Sequence, residues 1–225
     1  GIPCLVLAYR NNLDQSVLKL LPKSSKEQIN RSDDSGRNLF LNACEGNADK
    51  VLSLLLEQSV KYNIDINKTV NGGMNGFIIA CKNNSEMVVS VLLEQSDKYS
   101  IDIHKSVNGM NGFMLACWHN NEKVVSMLLE QSVKYSIDIN KTDNDGMNGF
   151  LLACESNSEK VVSMLLEQSV KHSIDINKTD DYGKNGFMLA CRSNSEMVVS
   201  VLLEQSDKYN IDIHKTVNRG WNGFM

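Results

Sequence analysis

At 225 residues the chain suits one ordinary domain or an elongated array. Hydrophobic residues make up 42%, enough for a buried core, and no apolar stretch reaches the ~18–20 residues of a membrane span. The net charge of −4 comes without a long basic or acidic run, which excludes a duplex-binding surface and a polybasic membrane patch.

The opening Gly1-Ile-Pro-Cys-Leu-Val-Leu-Ala8 is short and has no basic residue before it. It predicts one short element, not a signal peptide. Residues 1–32 read as a degenerate copy of a unit that recurs downstream. Leu5-Val-Leu-Ala8 is its first helix, Asp14 to Leu21 its second, and Pro22 its stop. The recurring unit is marked by Asn148-Gly-Phe-Leu-Leu-Ala-Cys154, which appears five times with small changes. Its Ala-Cys pairs fall at Ala43-Cys44, Ala80-Cys81, Ala116-Cys117, Ala153-Cys154 and Ala190-Cys191, spaced 37, 36, 37 and 37 residues apart. A fixed period of this size marks an array in which each unit buries its apolar face on its neighbours. The five copies cover 33–217, at approximately 33–69, 70–106, 107–142, 143–179 and 180–216. Residues 218–225 start a sixth with Asn222-Gly-Phe-Met225, so the chain is expected to be a monomeric segment of a longer polypeptide.

The copy from Asp143 to Thr179 shows the local logic. Asp143-Asn-Asp-Gly146 is a turn, with Gly146 free to take positive φ. Asn148 caps a short helix, Phe150 to Cys154, that is apolar nearly all round and so is expected to be buried. Glu155-Ser-Asn157 is a polar turn, and Ser158 is the expected cap of the second helix. Val161, Val162, Leu165 and Leu166 share one face of that helix. Glu167 and Lys171 form an i,i+4 pair, repeated as Glu57/Lys61, Glu94/Lys98, Glu130/Lys134 and Glu204/Lys208. The helix is read as running to His172, whose counterparts are Tyr62, Tyr99, Tyr135 and Tyr209. Ile174-Asp-Ile176 then alternates in and out as an extended return. The predicted fold is all-α: a solenoid of stacked helix-turn-helix units joined by loops or short β-hairpins.

This unit resembles the ankyrin repeat. The family pattern D-x-x-G-x-T-P-L-H-x-A-A, G-H-x-E-V-V-x-L-L-L, A-D-V-N aligns with Asp180-Asp-Tyr-Gly-Lys-Asn-Gly-Phe-Met-Leu-Ala-Cys191, Asn194-Ser-Glu-Met-Val-Val-Ser-Val-Leu-Leu203 and Ile211-Asp-Ile-His214. Thr-Pro is replaced by Asn-Gly, and the family histidine by Met188. Each copy exceeds the family's ~33 residues by an extra turn at the end of the second helix. The resemblance implies a binding or scaffolding segment and no enzymatic activity. It also implies that Asn67, Asn140 and Asn177 correspond to ankyrin asparagines that are hydroxylated in some organisms.

No motif for catalysis, cofactor or metal is present. Cys117 and His119 stand two residues apart on a helix and point away from each other. Asp143-Asn-Asp-Gly146 lacks the flanking ligands of a calcium loop, and there is no Cys/His zinc spacing. His104 and His214 read as structural polar residues. Equivalent cysteines of stacked helices lie ~8–10 Å apart, beyond disulfide reach. Reduced, buried thiols are therefore expected, and with them a cytoplasmic location. The sequons Asn67-Lys-Thr69, Asn140-Lys-Thr142 and Asn177-Lys-Thr179 are one repeat position copied, a single weak sign of secretion.

Partner contacts are expected where copies vary while the scaffold does not. By the resemblance, loop tips and first-helix ends line a concave face that holds a protein partner. The loop positions are Met74, Met110, Asp145 and Met147, Tyr182 and Lys184, and Trp221. The helix positions are Lys82, Trp118 and His119, Glu155, and Arg192. Tyr, Trp, Arg and Met are typical interface residues. Two other roles stay open: a structural spacer in a long array, or the targeting arm of an enzyme or channel. The third copy's loop, Val107-Asn-Gly109, is one residue short.

Overall fold

A computed structural model describes Leu5, Val6, Ala8, and residues 14–70 and 72–216. Each copy starts its first helix on an asparagine. The helices are Leu39–Glu45, Gly76–Lys82, Gly112–Trp118, Gly149–Glu155 and Gly186–Arg192. In each, the asparagine is extended and its Oδ1 accepts the N–H three residues on, as from Leu151 to Asn148 at 3.0 Å. That satisfies one of the free donors of the first turn. In four copies the other end of the same amide is also used. Asn75, Asn111, Asn148 and Asn185 donate from Nδ2 to the carbonyls of Asp102, Asp138, Asp175 and Asp212, at 2.5–2.9 Å. One side chain thus caps the helix and fastens the return that ends the copy, which is a turn at Ile176-Asn177 and not the expected extended segment.

The first helices end alike. Asn47, Asn84, Asn120, Asn157 and Asn194 take left-handed φ of 53–59°. The N–H of the next residue reaches back to the helix alanine, as from Ser158 to the Ala153 carbonyl at 3.0 Å. This closes the helix in a Schellman motif. The second helices are Asp49–Glu57, Glu86–Glu94, Glu122–Gln131, Glu159–His172 and Glu196–Tyr209.

The expected long second helix is continuous only in the fourth and fifth copies. In the first two it pauses at Gln58 and Gln95, with ψ near 3°, and resumes for one turn as Ser59–Tyr62 and Ser96–Tyr99. In the third, turns follow Gln131. A serine hydroxyl next to the pause competes for ladder carbonyls: Ser96 and Ser132 donate to Leu93 and Leu129 at 2.7 Å. The same contact exists in the continuous fourth copy, from Ser169 to Leu166, so it weakens the ladder without deciding the break. All five tails close on a left-handed residue, Asn63, Ser100, Ser136, Ser173 or Asn210, at φ 50–51°.

Two further expectations need correction. Ser158 does not cap its helix; its Oγ lies 2.9 Å from Ser156 Oγ. The equivalent Ser85 donates to the Glu45 carbonyl of the copy before, and Asn47 Oδ1 of that copy accepts from Val88 N–H at 3.2 Å. The cap comes from a neighbouring copy, which a single unit does not reveal. The lysines of the expected i,i+4 pairs lie against aromatic rings: Lys61, Lys98, Lys134 and Lys208 place Nζ 4.6–4.8 Å from the ring centre of the following tyrosine, and the carboxylates that act on Lys98 and Lys208 are Glu57 and Glu167 of the copy before.

The chain clusters into two compact units, Gly1–Val107 and Asn108–Met225. In the first, Asp14–Leu20 and a 3-10 turn, Leu21–Lys23, precede a short helix, Lys26–Asn30. The sequence reading missed that last helix, although its capping box of Ser25 and Gln28 is visible in the sequence. The first helices of copies 1 and 2 pack together here, with their second helices alongside. In the second unit copies 3, 4 and 5 stack in order through the same helices. Phe40, Phe77, Phe113, Phe150 and Phe187 are almost fully buried, as are the paired Val/Leu positions on the second helices of copies 1 to 4; in the fifth, Val198 and Leu202 are buried.

Replacing Asn148 by alanine removes both cap and tie and is expected to cost about 2 kcal/mol. Asn148→Ser, which caps but cannot reach Asp175, is expected to recover roughly half of that. Denaturant unfolding measures both. Equal losses would mean that the cap contributes nothing.

Candidate functional site

The loops that precede the first helices are built on aspartate in three copies. Asp33, Asp143 and Asp180 each accept two backbone N–H groups on Oδ1, two and four residues on. The loop then closes by a backbone pair, as from Asp143 N–H to the Met147 carbonyl at 2.9 Å. Gly146 sits in this turn at φ 77°. The second copy has Val70 in place of aspartate and closes by an antiparallel bridge to Met74. In the shortened third loop, Asn108 at φ 52° and Gly109 at φ 82° have the two positive angles of a type I′ hairpin turn. The deleted residue converts a wider loop into a two-residue turn.

Of the expected contact residues, Met74 and Lys82 belong to the first unit and both are half-buried. Trp221 lies outside the described residues. The others fall in the second unit. Trp118 ends its first helix, is 40% exposed, and stacks on His119 with ring centres 5.8 Å apart. One and two copies on, at the same place, Glu155 and Arg192 form an ion pair with each other. That pairing was not legible in either copy taken alone.

Along the loops, Met110 and Met147 are half-buried and Asp145 is exposed. The carbonyl of Asp145 accepts the N–H of Asp181 in the next loop at 2.9 Å, so these two tips are fastened. Tyr182 is 69% exposed, with Lys184 Nζ 5.0 Å from its ring centre. Trp118 and Tyr182 are the large aromatic groups that this unit turns outward.

On the surface, the exposed Asn67, Asn140 and Asn177 bridge copies. Each donates to a carbonyl 33 residues on and accepts an N–H 35 residues on, as Asn140 does with Ser173 at 2.9 Å and Asp175 at 3.4 Å. In the first unit a polar depression is lined by Lys26, Glu27, Asp65 and Lys68; Lys68 donates to Ser32 Oγ at 2.8 Å. Among the described residues no His, Cys, Asp and Glu cluster fits a metal ion.

Burial pushes the thiols of Cys44, Cys81, Cys117 and Cys154 far up, which disfavours the reactive thiolate. Cys191 departs from the expected uniform burial: it is half-exposed, although burial still raises it. His172 Nε2 is buried with no hydrogen-bond partner. Burial, and then the charge of Lys171, hold its pKa below the ordinary value.

A family model described as "Ankyrin repeats (3 copies)" matches residues 5–99, 57–143 and 113–216. The crystal structure of the human ASB11 ankyrin repeat domain superposes with a TM-score of 0.76 at 17% identity, covering 98% of this chain and 89% of that one. That likeness is one of fold. Comparison with curated proteins found no match.

Two measurements follow from these groups. In native thiol labelling, Cys191 is expected to react before Cys44, Cys81, Cys117 and Cys154, and all five to react in denaturant. Uniform native rates would mean that the helix faces are assigned wrongly. For His172 the folded pKa is depressed, so the unfolded chain binds the proton more readily. Its contribution to stability is present above the unfolded value of ~6.5 and is lost as pH falls through and below it. His172→Tyr is expected to flatten the pH dependence of stability between about pH 7 and 5. An unchanged slope would show the imidazole to be solvated.

Proposed function

Since this chain belongs to the ankyrin repeat family, we propose that it binds a protein partner across the loop tips and first-helix ends of copies 3 to 5. Ankyrin repeats mediate protein–protein interaction and are typically non-enzymatic modules. The observation that carries the reading is Trp118. It is 40% exposed at a place where the other copies have Lys82, Glu155 and Arg192, so the scaffold does not require an indole there. Tyr182, exposed at the loop tip of the same unit, supplies a second aromatic. Such groups, large and stiff, are the usual anchors of interfaces.

Glu155 and Arg192 enter this reading differently from the rest. Each is already paired with the other, so a partner meets a neutralised pair and not two free charges. The mechanism is preorganisation. Helix caps and fastened loops hold the side chains in place before binding, which lowers the entropy lost on association. The buried thiols support a reducing, cytoplasmic setting. Among the described residues no helix is long and apolar enough to cross a membrane.

Trp118→Ala tests the reading. Stability is expected to change by no more than about 0.5 kcal/mol, as for a surface substitution. Affinity for a partner captured by the intact chain is expected to fall by ~2 kcal/mol or more. Unchanged affinity removes Trp118 from the interface, and a large drop in melting temperature would make it a packing residue.

A further inference from the structure

The glycine after each capping asparagine has no backbone reason to be there. Gly76, Gly149 and Gly186 are the first residues of helices and lie outside the positive-φ region. Alanine is the better helix former at such a site. The reason lies in the copy before. A Cβ built on Gly76 would lie 2.8 Å from Cys44 Sγ and 2.9 Å from Phe40 Cε1. On Gly149 it would meet Phe113 Cε1 at 2.9 Å and Cys117 Sγ at 3.1 Å. On Gly186 it would lie 2.9 Å from both Cys154 Sγ and Phe150 Cε1. These are closer than carbon and sulfur tolerate, and the neighbours are buried in a close-packed core. The first copy is the control within the chain. It has Leu39 in place of glycine, and the residues before it contain no Ala-Cys pair.

We propose that the phenylalanine and cysteine of one copy and the glycine of the next form a matched contact that decides which repeat can stack on which. A copy with this Phe and Ala-Cys accepts a following copy that opens Asn-Gly-Phe. This inference concerns stacking and stands apart from the partner surface of Trp118.

A double-mutant cycle in the full chain tests the pair. Gly186→Ala is expected to lower the urea midpoint by roughly 0.5–1.5 M. In the Cys154→Ala background the same substitution is expected to lower it by less, since the contact with Sγ is removed while Phe150 Cε1 stays 2.9 Å away. If Gly186→Ala alone fails to fold, the double variant is expected to fold. Equal losses in both backgrounds, or a double variant that also fails to fold, would overturn the pairing.

Discussion

The side-chain amide of one asparagine per copy is the interaction on which the rest of each unit depends. At Asn148, Oδ1 starts the first helix and Nδ2 holds the Asp175 carbonyl at the far end of the same copy. Asn148 is 1% exposed, so neither end of the amide has water as an alternative partner. A buried amide left half-satisfied is costly, which makes the geometry all-or-none. Proline, which commonly opens such helices by pre-setting φ, supplies no donor for the return. Asn-Gly does both jobs with different chemistry. The asparagine makes the bonds, and the glycine leaves space for the cysteine of the copy before.

Neighbouring copies are joined in three layers. In the core, phenylalanine and cysteine of one copy meet the glycine of the next at van der Waals limit. At the loop bases, Asn67, Asn140 and Asn177 exchange two hydrogen bonds with the following copy. Nearer the surface, ion pairs such as Lys160 with Glu122 at 3.1 Å add little, because both groups are solvated. The joint between copies therefore rests chiefly on core packing. That leaves first-helix ends and loop tips free to vary. Trp118, Glu155 and Arg192 occupy one place in successive copies without altering the backbone beneath them.

Invariance and variation carry different information in such a chain. Copies that nearly duplicate one another, such as Ser85 to Asp102 and Ser195 to Asp212, make identity a weak sign of functional need. Departures are more telling. The shortened third loop became a two-residue turn, and His172 stands where the other tails have tyrosine. Its Nε2 is left without a partner as a result.

The sequence by itself determined the period, the helix pair, the asparagine caps, the positive φ of Gly146 and the apolar faces. Each of these is a local property: a capping side chain, a glycine where φ must be positive, or a 3.6-residue spacing. It also singled out Trp118 and Tyr182 as residues that the scaffold does not need. The tertiary structure alone decided what depends on a neighbour. Ser158 proved not to be a cap, and in the second copy the acceptor for the second helix, Asn47 Oδ1, comes from the copy before. Glu155 and Arg192, 37 residues apart, turned out to be partners. Cys191 is less buried than its four counterparts, although its own copy has the same local sequence. The pattern of a repeat is written within one copy, whereas its contacts are made between copies at distances that spacing along the chain does not encode.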